Sequence, residues 1–474
     1  MQGYTAAMKT PNPDSRTADA GASKTLATFA AGLTFDAIPP AVIEKLKLNI
    51  LDGIACCLVG SALPWTRKIA DMVAAEGGVP SATVFGMGRT APLSGAVLIN
   101  STAGHAFELD DIHRDAILHP NSIAVPVALN VAEYLGGASG PDVLTTIVAG
   151  YEAGNRIGAA ASTDLLLRGF HPQGVVGPFC AAVTAAKLMK LDAEQMLNAM
   201  GIAGSLGSGL MASQEGAMVK RLHSGHAAEA GVRGALLARD GFTGISDVVE
   251  AEYGGFLAAF SGKIELSRVT DGLGEIWETA ETGFKPHATV TSIHAALDAL
   301  SAIMKDNALT PSDVATIHAG VSKPTYVHCA WPYEAQSITA AQMNIYYGLA
   351  MIALNGRAFV GEFTEDAIRA PDTLAFIEKI SASVDDEIEA KGAAFRHMAR
   401  ITLTTTDGRT FSETVTHRKG SPDNPLSADE VEAKYFALVE HALPKDQATA
   451  VRDLVFALDS AAAVEDLTTA IAGG

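Results

Sequence analysis

The sequence predicts a mainly α protein: a large helical domain built from both chain ends, with a smaller α+β domain between them. Three observations lead there. The chain is 48% hydrophobic and only 6% aromatic, with 45 glycines among 474 residues, a composition of closely packed helices rather than of a β-sandwich. From about Thr25 to Val269 apolar residues recur at helical spacing. Near Gly283 the texture changes to β-branched residues in alternation.

Taken in order, residues 1–24 are polar without an apolar core, which reads as a disordered arm and not as a signal peptide. Residues 25–280 form the helical domain. Pro39-Pro40 opens the helix AVIEKLKLNILDGIACCLVG, proline being suited to a helix start. SIAVPVALNVAEYLGG, VLTTIVAGYEAGNRIGAAA and FCAAVTAAKLMKL repeat the pattern, and Gly or Asn ends many such stretches. Residues 281–420 read as α+β. VATIHAGVSK and FRHMARITLTTTDGRTFSETVTHR alternate, with Asp407-Gly408 marking a hairpin, and AAQMNIYYGLAMIALNG reads as one buried helix. Residues 421–474 return to helix, Ser427 and Glu430 having the spacing of a capping box, and are expected to pack back on the helical domain.

The net charge of −19 argues against a nucleic-acid partner, which needs a basic face. An anionic ligand would need a local basic patch set against that field. Four cysteines without a CxxC spacing suit a reducing cytoplasm, and adjacent Cys56-Cys57 read as core residues. No apolar run has the length of a membrane span.

Four polar clusters stand out. His105, Glu108, Asp110, Asp111, His113, Asp115 and His119 gather in HAFELDDIHRDAILHP, between apolar flanks that place the knot near the core. Were 103–111 helical, Glu108 and Asp111 would share a face. His171 lies in RGFHPQG, a loop that leads into an apolar helix. Lys220, Arg221, His223 and His226 follow a Gly/Ser-rich stretch that lacks the order of a P-loop and suit the gripping of carboxylates. Lys285 precedes Pro286 at the expected domain junction, with Tyr326 further on in KPTYVHCAWPY.

Each cluster also has a bland reading as solvated turns. Taken together they leave three functions open. A metal hydrolase would use His105, Asp110, Asp111, His113 and His119, although no HExxH spacing occurs. A non-catalytic helical scaffold would have little use for such clusters. A cofactor-free lyase or isomerase of a small polycarboxylate would employ all four, with cations on the carboxylates and imidazoles moving protons.

The clusters, in this order, resemble the MmgE/PrpD family. The resemblance runs from about Thr25 to the C-terminus and rests on HAFELDDIHRDAILHP, GYEAGNRIG, RGFHPQGVVG, KRLHSGHAAEAG, the Lys285-Pro286 segment and GSPDNPLSADEVEAKY. It implies a helical domain with a smaller α+β lid, a homodimer, and a site between domains that needs no cofactor or metal. The family's activities are 2-methylcitrate dehydration, cis-aconitate decarboxylation and iminodisuccinate epimerisation, of which dehydration of a 2-methylcitrate-like acid is the expectation adopted here. On this likeness His119, His171, Lys220, Asp110 and Asp111 are catalytic, and Glu108, Arg221, His223, Lys285 and Tyr326 bind substrate. In this chain Glu108 stands where decarboxylase-like members carry Asp. Ile112 and His113 replace the usual Thr and its neighbour, and Val290 sits where the decarboxylase has a histidine.

Overall fold

The computed structural model describes residues 21–440 and 442–473. Most of the expected arm at 1–24 lies outside the described residues. Its last part is helix instead: α1 spans Ala22–Gly32. The Ser23 backbone N–H and hydroxyl both donate to the Glu250 carboxylate, which fixes the first turn of a segment too polar to be recognised as packed.

The N-terminal part also holds α2 (Pro40–Ser61), α3 (Leu93–Gly104), α4 (Asn121–Tyr134), α5 (Gly140–Ala161), α6 (Gly177–Leu188), α7 (Ala193–Gly204) and α8 (Val219–Arg239), among other helices. Pro40 occupies the first turn of α2, where its missing N–H costs nothing. Helix α8 is central and lies against α3, α6 and α7. Small residues make that possible. A Cβ on Gly225 would fall 2.1 Å from Thr102 Oγ1 and 2.3 Å from the Leu98 carbonyl oxygen, so α3 and α8 meet at backbone distance. Gly225→Ala is therefore expected to destabilise by about 1–3 kcal/mol. Gly32→Ala, where a Cβ would meet nothing within 4 Å, is the control with little cost. Urea midpoints that fail to separate the two variants would refute this packing argument.

A hairpin not anticipated from the sequence joins the strands β1 (Ala82–Val84) and β2 (Arg89–Ala91) through Gly86 and Gly88, both left-handed. A short ladder matters more for the site. Strand β3 (Ile112–His113) pairs with β4 (Thr282–Gly283), Ile112 opposite Gly283 and His113 opposite Thr282. It brings the Glu108–Asp111 loop beside Lys285, from far along the chain.

The β-rich part holds one four-stranded sheet, order β6-β5-β7-β8, with β5 at Val314–Val321, β6 at Ile380–Val384, β7 at Ala399–Thr405 and β8 at Thr410–Val415. β5 and β6 are parallel and the other pairings antiparallel. β7 buries every second residue, as its sequence alternation predicts, and Gly408 turns the hairpin at φ 86°. Helix α9 (His294–Asp306) lies on β7 and β8 and against α10 (Ile345–Asn355). The single buried helix expected over residues 340–356 is two. Asn344 is extended and its side chain accepts from the Tyr346 and Tyr347 N–H groups, ending Ile338–Met343 and starting α10.

Helix α11 (Ala428–Val439) opens with the capping box of Ser427 and Glu430 and packs on α2. The protein is mainly α, with a smaller α+β part. Among the described residues no single helix is long and apolar enough to cross a membrane.

Candidate active site

Helix α3 ends at Gly104, so the helix imagined over 103–111 does not continue through the acidic knot. Residues 105–111 form a buried loop, and Glu108 sits at φ 56°. That left-handed conformation costs an L-residue roughly 1–2 kcal/mol and is retained where the surroundings demand it. Here three cations do so. Lys220 and Arg221, in the first turn of α8, and Lys285, just after β4, all bind the Glu108 carboxylate. Arg221 lies 2.6 Å from Oε1 and Lys285 3.1 Å from Oε2, while Lys220 makes a close ion pair. Burial pushes the Glu108 carboxyl up, but Lys220, Lys285 and Arg221 outweigh it and hold the group well below the usual carboxylate range. Burial lowers Lys220 to about 8, although Glu108 opposes the shift. Arg221 is oriented by Gln342, which accepts at 2.7 Å and itself donates to the Phe107 carbonyl.

The two adjacent aspartates part company. Asp110 is fully buried between two imidazoles, with Oδ2 2.7 Å from His105 Nδ1 and Oδ1 3.3 Å from His119 Nδ1. Burial raises its carboxyl, yet His119 and His105 together hold it well below the ordinary range. An ionised Asp110 can only accept, so it favours the Nδ1–H tautomer of both rings and leaves each Nε2 a lone pair. His105 is held neutral by burial, at about 3 despite Asp110.

Asp111 points elsewhere. It accepts from Asn49 at 2.6 Å, from the Tyr151 hydroxyl at 2.8 Å and from the Asn121 N–H at 2.9 Å, which makes it the acceptor for the start of α4. Tyr151 belongs to the GYEAGNRIG stretch of α5. Glu152 and Arg156 in that stretch pair with each other and tie down residues 271–279, through Thr279 and the Asp271 and Ile276 carbonyls.

His171 and His223 form a second pair, Nδ1 to Nδ1 at 2.8 Å, in which one ring donates and the other accepts. Burial and the charge of Lys220 keep both neutral, His223 near 4 and His171 well below its ordinary value. His105 connects the two pairs, its ring centre lying 4.8 Å from that of His119 and 5.7 Å from that of His171. Gln173 accepts from the His119 N–H and donates to its carbonyl, fixing the HP turn.

One cavity collects these groups. Glu108, His119, His171, Lys220 and Lys285 line it, together with residues from the β-rich part such as Val290, Thr325, His328 and Arg396. Of the residues expected from sequence, His223, Asp110 and Arg221 stand directly behind this wall. The structure does not bring Asp111 to the cavity wall, nor Tyr326, which is 37% exposed on the neighbouring helix Lys323–Cys329. Of the five ligands imagined for a metal, His105, Asp110 and His119 offer atoms within 4.8 Å of one another. His113 instead contacts Glu278 at 2.8 Å, and Asp111 is committed to α4. Sequence reading gave His105 a role only as a metal ligand and passed over Gln173 and Gln342 as site residues. His105 stood in the acidic knot, whereas nothing in the sequence marked the two glutamines.

Residues 24–268 match the MmgE/PrpD N-terminal domain and residues 287–460 the MmgE/PrpD C-terminal domain. The chain belongs to the MmgE/PrpD family. It is 32% identical over 458 residues to the cis-aconitate decarboxylase-like protein oryM of Aspergillus oryzae, covering 92% of this chain and 94% of that one. It is 31% identical to the cis-aconitate decarboxylase of Aspergillus terreus, covering 93% and 94% respectively. The human cis-aconitate decarboxylase is 27% identical, covering 95% and 94%. Within this MmgE/PrpD chain, the boundary between the matched domains falls at residues 269–286, where β4 and Lys285 reach the Glu108 loop.

Proposed function

We propose that the protein is a lyase that removes carbon dioxide from a small unsaturated polycarboxylate of the cis-aconitate kind, using its own acid–base groups. The observation that carries this is the convergence of two lysines and two imidazoles on one buried cavity. Lys220, Arg221 and Lys285 bear three formal positive charges against the single carboxylate of Glu108, and that excess suits a ligand with several carboxylates. In such a substrate the C–COO⁻ bond breaks and its electron pair forms a new double bond. The old double-bond pair takes a proton at the far carbon. That one proton comes from Lys220 or, where Lys220 holds a remaining carboxylate, from His119 or His171. Asp110 orients His119, as carboxylates do for catalytic imidazoles.

Decarboxylation is preferred to the dehydration expected from sequence because the relatives above carry that activity in their names. Dehydration stays the second reading on one observation: Val290 lines the cavity where the resemblance puts a decarboxylase histidine. Proton NMR in D₂O with cis-aconitate, citrate and 2-methylcitrate separates the two. Loss of CO₂ from cis-aconitate, with deuterium in the product, is the expected result. Loss of water from a citrate alone would overturn decarboxylation. Activity that EDTA abolishes and Zn²⁺ restores would overturn the acid–base reading.

The pH profile offers a further check. Lys220, lowered to about 8, is protonated below that value and loses its proton above it. With Lys220 as donor, kcat/KM should fall as pH rises through about 8, and Lys220→Arg should remove that limb. A limb unchanged in the arginine variant would reassign it to another group.

A further inference from the structure

The cavity is divided by chemistry. Its buried floor carries Glu108, Lys220 and Lys285, the last only 1% exposed. Ile117, Leu166, Leu167, Met211 and Val290 give the cavity a hydrocarbon side, beside polar Thr163, Gln214 and Ser292, and Leu167 is 60% exposed at the mouth. A site made only for carboxylates would gain nothing from such a wall, because each charged arm turned toward it would lose hydration without a partner. Ile117 adds an independent sign. It is β-branched yet held at φ 53°, a backbone state that such residues avoid, and it faces the cavity. Strain of this kind collects at ligand clamps.

We propose that the substrate is a polycarboxylate bearing an alkyl branch longer than methyl, with its carboxylates on the cationic floor and its hydrocarbon chain along Ile117, Leu166, Leu167, Met211 and Val290 toward solvent. The proposal rests on the polycarboxylate reading above and names the class within it. The branch leaves the floor where the reacting atoms lie and runs outward, so chain length changes affinity and not the chemistry.

Calorimetry with unreactive propane-1,2,3-tricarboxylates carrying hydrogen, methyl, ethyl, propyl or butyl on a terminal carbon tests it. Each methylene that reaches the wall should tighten binding about fourfold, so that the butyl compound binds roughly 60-fold more tightly than the methyl one. Leu166→Gln should cut the butyl-to-methyl ratio several-fold, and the ratio is unaffected by any uniform loss of active protein. A flat or falling series, with the unbranched acid still binding, would overturn the alkyl branch and leave the polycarboxylate reading standing. No binding by any member would overturn both.

Discussion

Lys220→Ala should lower kcat/KM by about 10²–10⁴-fold while leaving the protein folded. The two halves of that expectation have separate causes. Lys220 reaches the cavity and, in the proposed mechanism, carries the proton or carboxylate contact, so its loss would remove an interaction with the reacting groups. Its loss is cheap for folding, because burial already disfavours the charged ammonium, and Glu108 keeps Arg221 and Lys285 as partners. Steady-state rates with the substrate named by the NMR experiment, beside circular dichroism and thermal melting, check both halves. Near-normal turnover would remove Lys220 from the mechanism.

Glu108→Gln should do the opposite, unfolding the protein more readily by about 3–5 kcal/mol, the range for a buried ion pair that loses one partner. Among the described residues Glu108 is the carboxylate shared by Lys220, Arg221 and Lys285, so the neutral amide leaves three buried cations facing one another. Urea unfolding measures the loss. High concentrations of a tricarboxylate should restore part of it, since the ligand supplies the missing negative charge. Unchanged stability would mean that water reaches the cations and that the cluster is solvated.

How much of this was legible beforehand depended on whether a feature was local. The N-terminal helical stretches, the Ser427 capping box and the Asp407-Gly408 hairpin follow from spacing and turn chemistry, and each stands where its sequence pattern puts it. The four polar clusters were visible as clusters, since titratable side chains between apolar flanks are conspicuous. Their internal division was not. Asp110 and Asp111 look equivalent in sequence, yet α3 ends at Gly104, and in the loop beyond it neighbouring side chains diverge. One therefore holds imidazoles and the other holds a helix start. Tyr326 was chosen by likeness to a lid tyrosine, but the face of its short helix that meets the cavity carries Thr325 and His328. The break at Asn344 was missed because apolar residues on both sides hid a capping side chain. Gln173 and Gln342 left no mark, because a neutral amide that steadies a buried neighbour looks like any surface residue until the fold is known.

The Leu109 carbonyl, one residue from Asp110, accepts from Lys434 on α11 at 2.6 Å, across 325 positions of chain. The same ammonium lies 2.6 Å from Asp52 on α2, which also receives Asn121 at the start of α4. On the ribosome, residues 105–111 emerge long before the last of the residues that fasten them. A contact of such sequence separation forms late, because its loop must close before it is rewarded. The braced form of residues 105–111 would then be among the last things this polypeptide acquires during synthesis. A chain stopped short of Lys434 would carry Asp110 and its histidines and still lack this hold on the carbonyl beside them.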